Sequence, residues 1–181
     1  MTALLLIDIQ EGLDDHPYYG GQRNNPNAED KAAALLAHFR KKGLPVYHVQ
    51  HSSNNPDSPL HPSKPGFAIK SLVRPEEGEP HYVKHENSAF VGTSLESDLK
   101  KAGINKLVIC GLTTEHCVST STRMAANLGF TVSLAADATA AFAKKNGTTN
   151  YPAQMVHDIV LACLRDEFAT VLETDKILAT L

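Results

Sequence analysis

Apolar residues in this chain fall into short runs separated by polar stretches, and the spacing inside each run predicts its element. Residues 3–9 are almost wholly apolar and read as a first strand that carries Asp8 at its end, with Gln10 two residues further on. A continuous apolar run of that length is what a strand buried on both faces shows. Leu13 to Asn27 is polar, holds Pro17, Gly20, Gly21 and Pro26, and reads as a loop. From Ala28 to Lys42, Ala32, Leu35, Leu36 and Phe39 recur at helical spacing, and Gly43 stops the helix. Val46 to His51 is a second strand. Ser52 to His81 has no periodicity and holds prolines at 56, 59, 62, 65, 75 and 80. Loops of that length inside a compact domain are uncommon, and those that occur are often lids or binding segments.

The second half alternates more regularly. Residues 82–85 are a short third strand, and Thr93 or Ser94 caps a helix that runs to Ala102 and ends at Gly103. Asn105 to Gly111 is a fourth strand, Cys117 to Leu128 a helix with Gly129 after it, and Phe130 to Ala135 a fifth strand. A loop through Asn150 follows, in which Asp137 is expected to tie the chain down. Tyr151 or Pro152 starts a helix to Leu164, Ala169 to Glu173 is a sixth strand, and Thr174 to Leu181 a short closing helix. Strands alternating with helices predict an α/β fold of three layers, α/β/α, around a mostly parallel six-stranded sheet, the Rossmann-like arrangement.

Composition narrows the field without naming an activity. A chain of 181 residues, 42% hydrophobic, is long enough for one well-buried domain, and one domain over 1–181 is expected. A net charge of −3 with no block of Lys or Arg points away from nucleic acid and from membrane surfaces, leaving a small-molecule substrate as the expected partner. The amino terminus enters a strand at once, without a basic leader, and Cys110 and Cys163 both lie in apolar stretches where cysteine acts as a small buried hydrophobe. These features fit a cytoplasmic protein with free thiols.

In a parallel sheet, ligands bind beyond the carboxyl ends of the strands. Three reactive residues fall there: Asp8 after the first strand, Lys84 after the third and Cys117 after the fourth. Each has a plain structural reading, as a turn residue, a solvated amine and a core thiol. Their coincidence on one rim favours chemistry instead. A carboxylate after Leu4-Leu5-Leu6-Ile7 is expected to be part-buried and to need a partner, for which Lys84 is the candidate. A cysteine at a strand-to-helix corner faces unpaired backbone N–H groups, and the helix dipole there favours the thiolate.

Taken together, LLLIDIQEG near the amino terminus, residues 84–132 around LVICGLTTEHCVSTSTR, AADATAAF at 135–142 and VHDIVLACLRDEFATVLET at 156–174 resemble the isochorismatase-like cysteine hydrolases, the superfamily that includes nicotinamidases and N-carbamoylsarcosine amidohydrolase. Only residues 13–27 and 52–80 fall outside the likeness. The resemblance implies a triad of Asp8, Lys84 and Cys117, a cis Leu112–Thr113 peptide, and an oxyanion hole from the backbone N–H groups of Thr113 and Cys117. It implies hydrolysis of a small amide or carbamoyl C–N bond through a thioester, and assembly as a dimer or tetramer. Gln10 and Phe90 fall in stretches that lie near the site in the family and are expected to line the pocket, with a structural role for each left open. Glu115 is expected to make turn hydrogen bonds.

The nicotinamidases also hold a metal through an Asp-x-His after the second strand. Here that place reads His48-Val49-Gln50-His51-Ser52-Ser53, and His51, Asp57 and His61 do not follow a metal template, so neither a metal nor another cofactor is expected and His51 is taken as pocket lining. Three alternatives stay open: an isochorismatase-type vinyl-ether hydrolase, a metal-dependent nicotinamidase, and a redox-sensing thiol protein without turnover. The last would lack a resolving cysteine if Cys110 and Cys163 are both buried.

Overall fold

The computed structural model describes residues 1–181. Its elements in chain order are β1 (Thr2–Ile7), a 3₁₀ turn (Glu11–Asp14), α1 (His16–Tyr19), α2 (Ala28–Lys41), β2 (Val46–His51), β3 (His81–Lys84), α3 (Leu95–Lys101), β4 (Lys106–Leu112), a π-helical turn (Thr114–Val118) that runs into α4 (Ser119–Asn127), β5 (Thr131–Ala140), β6 (Lys144–Asn146), β7 (Thr149–Tyr151), α5 (Ala153–Leu164), β8 (Thr170–Leu172) and α6 (Thr174–Leu178). Six strands form one parallel sheet in the order β3-β2-β1-β4-β5-β8.

The side chains of β1 alternate between the sheet's two faces, as the pleat requires. Ala3, Leu5 and Ile7 pack with Leu99 of α3, Ala125 of α4 and Leu161 of α5, while Leu4 and Leu6 pack with Leu35 and Phe39 of α2 and Ile177 of α6. Both faces are therefore covered, and this is why the strand reads as an unbroken apolar run. Each such leucine contributes about 1.5–3 kcal/mol on burial.

The chain runs from β1 outward to β3 on one side, and β4 then returns to lie against β1 on the other. The crossovers diverge at that point and leave a crevice beyond the carboxyl ends of β1 and β4. Gly111 makes the close approach possible. Its φ is +126°, and a Cβ there would lie 2.0 Å from the Ile7 carbonyl oxygen.

Three expectations need correction. The segment after Ala135 is not a loop, because β5 continues to Ala140 and Lys144–Tyr151 folds back as the β6–β7 hairpin. Asp137 lies within β5 and fixes α6, its Oδ1 accepting from the Thr174 N–H and hydroxyl at 2.7 Å each. Cys163 is exposed: along α5 the buried positions are His157, Leu161 and Leu164, and residue 163 faces outward however apolar its neighbours.

The long segment after β2 is closely docked. Gly66 meets Gly12, where a Cβ on Gly66 would stand 2.6 Å from the Gly12 Cα, and Gln10 forms an isolated bridge with Ile69. A buried ion cluster, Glu29 with Arg23 and Lys70, ties the same segment to α2, Lys70 Nζ lying 2.7 Å from Glu29.

Candidate active site

Asp8 follows β1 with φ +51°, a left-handed conformation that a non-glycine residue holds only where its surroundings fix it. Here the Asp8 N–H donates to the Val49 carbonyl at 2.9 Å, so β2 extends the ladder past the last residue of β1. The turn sends the carboxylate into the crevice rather than along the sheet. Lys84 ends β3 and reaches the same point, and both residues are 1% exposed. Cys117 enters from the π-helical turn after β4. That turn is closed by the Thr113 carbonyl, which accepts from His116 and Val118 N–H at 3.2 Å each.

Three strand ends thereby converge on one ammonium group. Lys84 Nζ lies 2.6 Å from Asp8 Oδ2, 3.1 Å from His51 Nδ1 and 3.2 Å from Cys117 Sγ. An ammonium carries three donors and no acceptor, so all three are used and His51 Nδ1 must be the acceptor, which leaves the His51 proton on Nε2. Burial, and then the Lys84 charge, push the His51 pKa down, in keeping with a neutral ring.

The ligating atoms of Asp8, His51 and Cys117 lie within 4.8 Å of one another, a spacing that could serve a metal ion. The Lys84 ammonium already stands among them as the cation, so the donor set does not suit a metal while that side chain is in place. His51, Asp57 and His61 are not gathered: His61 Nδ1 pairs with Ser63 Oγ at 2.7 Å, and Asp57 is exposed.

Burial raises the Cys117 pKa most, the Asp8 charge raises it further, and Lys84 offsets only part of this. Cys117 lies inside the turn and is buried, which disfavours the charged form, while the Lys84 ammonium beside it favours that form. Cys117 Sγ lies 3.7 Å from Asn87 Oδ1, and the second Asp8 oxygen, Oδ1, is buried and has no partner. The Leu112–Thr113 peptide is cis, and the Thr113 N–H donates to no backbone carbonyl.

A cavity of about 350 Å³ opens over this cluster. Its walls include Tyr18, Tyr19, Leu60, Phe142 and Lys144, with Thr113, Glu115 and His116 from the nucleophile turn. His51 lines it, as expected. Gln10 does not. That side chain is fully buried and clamps the end of β2, accepting from His51 N–H at 2.8 Å and donating to the His51 and Phe67 carbonyls at 3.0 and 2.8 Å. Phe90 is also outside the cavity, stacked on Phe130 at 6.1 Å against the core. Of the other wall residues, Ser58 and Leu60 come from the long proline-rich segment expected to be a lid or binding loop, and Tyr19 from the loop expected after β1. Phe142 and Lys144 come from a segment read as plain loop, for which one signal was present: Asn146-Gly147 is a hairpin turn sequence, and the β6 strand it closes carries Lys144.

The parallel sheet and the buried Cys-Lys-Asp cluster at its rim define a cysteine-hydrolase type of α/β protein. The model of the isochorismatase domain matches residues 2–176, and the chain belongs to the isochorismatase family of hydrolases. It is 48% identical to an isochorismatase family protein of Bacillus subtilis over 97% of this chain and 94% of that one. A streptothricin hydrolase of Streptomyces noursei is 32% identical over 78% of this chain and 50% of its own length. The crystal structure of a hydrolase of the isochorismatase family from Chromobacterium violaceum superimposes with a TM-score of 0.93 at 42% identity, covering 98% of this chain and 92% of that one.

Proposed function

We propose that this protein hydrolyses a small amide or carbamoyl C–N bond through a thioester on Cys117. The observation that carries the reading is the Lys84 ammonium, set between Asp8 and Cys117, two residues that line one cavity. Asp8 takes the thiol proton as sulfur attacks the carbonyl carbon, and Lys84 holds Asp8 ionised and faces the developing thiolate. The tetrahedral oxyanion is met by the N–H groups of Thr113 and Cys117; one such donor is typically worth about 10²–10³ in rate. The C–N bond then breaks, the leaving nitrogen takes the proton from Asp8, and the acyl group remains on sulfur. Water gives its proton to Asp8 as it attacks the thioester, and collapse returns that proton to sulfur. The streptothricin hydrolase among the relatives supports a hydrolytic reading for this chain.

A cavity of about 350 Å³ sits at the small end of ligand pockets, which run roughly 300–1,000 Å³, so the substrate is a small molecule. Intact-mass measurement during turnover of a panel of small amides and carbamoyl compounds tests the mechanism. Wild type should gain an acyl increment, and Cys117→Ala should lose both increment and turnover, to below roughly one-thousandth of the wild-type rate, while remaining folded. Amide turnover surviving in Cys117→Ala would remove the cysteine from the reaction. Turnover of isochorismate, added to the panel, without any adduct and surviving in that variant would favour a vinyl-ether substrate.

A further inference from the structure

Six buried side-chain polar atoms in the chain lack a hydrogen-bond partner, and three of them belong to residues that line the cavity: Asp8 Oδ1, Tyr19 Oη and Glu115 Oε2. Folded proteins leave few such atoms, and a cluster of them in one cavity marks where a ligand completes the bonding. Asp8 Oδ1 belongs to the residue that takes the thiol proton in the proposed reaction. The other two have no place in the bond-making steps.

Glu115 is held rigidly. Its side chain is 6% exposed, and its Oε1 accepts from the Phe142 N–H at 3.3 Å and from Lys144 Nζ at 3.0 Å. Both partners sit on the same oxygen, which leaves Oε2 buried and without a partner on a residue that lines the cavity. The neighbouring groups do not compete for it. His116 is pushed by burial toward its neutral form, Lys144 is engaged at Oε1, and the Tyr19 phenol keeps its proton because burial raises its pKa.

We propose that Glu115 determines the substrate class: its Oε2 accepts a hydrogen bond from an N–H group, an ammonium above all, on the non-reacting part of the substrate. A buried carboxylate oxygen without a partner prefers an N–H donor, and a charged donor above a neutral one. The inference rests on the hydrolase reading only in taking Cys117 as the reacting group.

Charge-tagged methanethiosulfonates test it in a Cys163→Ser background, which removes the other accessible thiol. Cys117 sulfur attacks the reagent's thiol sulfur, an S–S bond forms, and methanesulfinate leaves with the electron pair. The thiol proton passes to Asp8. Rates for the aminoethyl and trimethylammonioethyl reagents, each normalised to a free small thiol, compare an N–H donor with an equal charge that lacks one. The aminoethyl reagent should be favoured in the wild-type cavity, and Glu115→Gln should lower that preference about tenfold, the value of one charge-assisted hydrogen bond. Lys144→Met, which leaves the backbone bond to Phe142 in place, should raise it. Equal losses for both cations, an unchanged ratio in both variants, or failure of the aminoethyl reagent to reach Cys117 would each overturn the proposal. Absence of an acyl-enzyme with the tenfold shift intact would overturn the hydrolytic mechanism alone.

Discussion

Lys84 does the work of two partners, and removing it exposes both roles. Lys84→Met leaves Asp8 buried, 1% exposed, with its counter-charge gone. Breaking a buried pair in this way costs about 3–5 kcal/mol. Chemical denaturation should show a loss of that order, and alkylation of Cys117 near neutral pH should slow about tenfold or more because the one cation offsetting the raised thiol pKa is absent. An unchanged alkylation rate would mean that Lys84 does not act on the sulfur. Asp8, Lys84 and Cys117 were legible because strand ends in a parallel sheet must meet at one rim. Gln10 and Phe90 were not, because which way a side chain turns depends on partners distant in sequence: Gln10 is claimed by the Phe67 carbonyl and Phe90 by the Phe130 ring. Cys163 was misread for a different reason. Local apolarity was weighed without the helical phase that places positions 157, 161 and 164 inward. Of the two cysteines expected to be buried, Cys163 is therefore accessible, while Cys110 is fully buried with its pKa raised by that burial.

Among the elements, the regular strands and helices followed from periodicity alone, since each had one face or two to bury. What stayed hidden was the extension of β5 over Asp137–Ala140, a stretch rich in alanine with weak strand propensity, which is recruited by pairing of Gly111 with Thr139 and Leu112 with Ala140. Tertiary pairing there overrides local preference. The segment after β2 tests how much of the pocket rests on docking. Gly66→Ala would set a Cβ 2.6 Å from the Gly12 Cα and from the Pro59 carbonyl oxygen, both backbone atoms that cannot swing aside. The segment should detach locally while the sheet remains intact. Proteolytic cleavage between residues 53 and 66 should become faster, and kcat/KM should fall roughly tenfold or more as Leu60 and Ser58 leave the wall. Unchanged proteolysis would show that the two glycines are not what holds the segment down.

For the whole molecule, the buried histidines set the acid limit. His48, His51 and His157 have pKa values lowered chiefly by burial. The unfolded chain therefore binds more protons than the native state once pH falls below the ordinary histidine value of about 6.5, and stability must drop as pH goes down through that point. Carboxylates add a second loss at lower pH, led by Glu79, whose pKa is held at about 2 by Arg40 and His48 despite partial burial. Urea midpoints at pH 7.5 and 5.5 should differ, the lower pH being less stable, and a flat profile would mean that the rings protonate without unfolding. No helix is long and apolar enough to cross a membrane. The hinge-free docking of residues 52–80 has a further consequence. Ser52 is pinned by its N–H to the Lys84 carbonyl and Phe67 by its carbonyl to Gln10, so the stretch between 53 and 66 is fixed at both ends, with Leu60 packed into the core between them. It can be exchanged as a cassette, and a library confined to those positions would vary substrate selection while the reacting atoms keep their places.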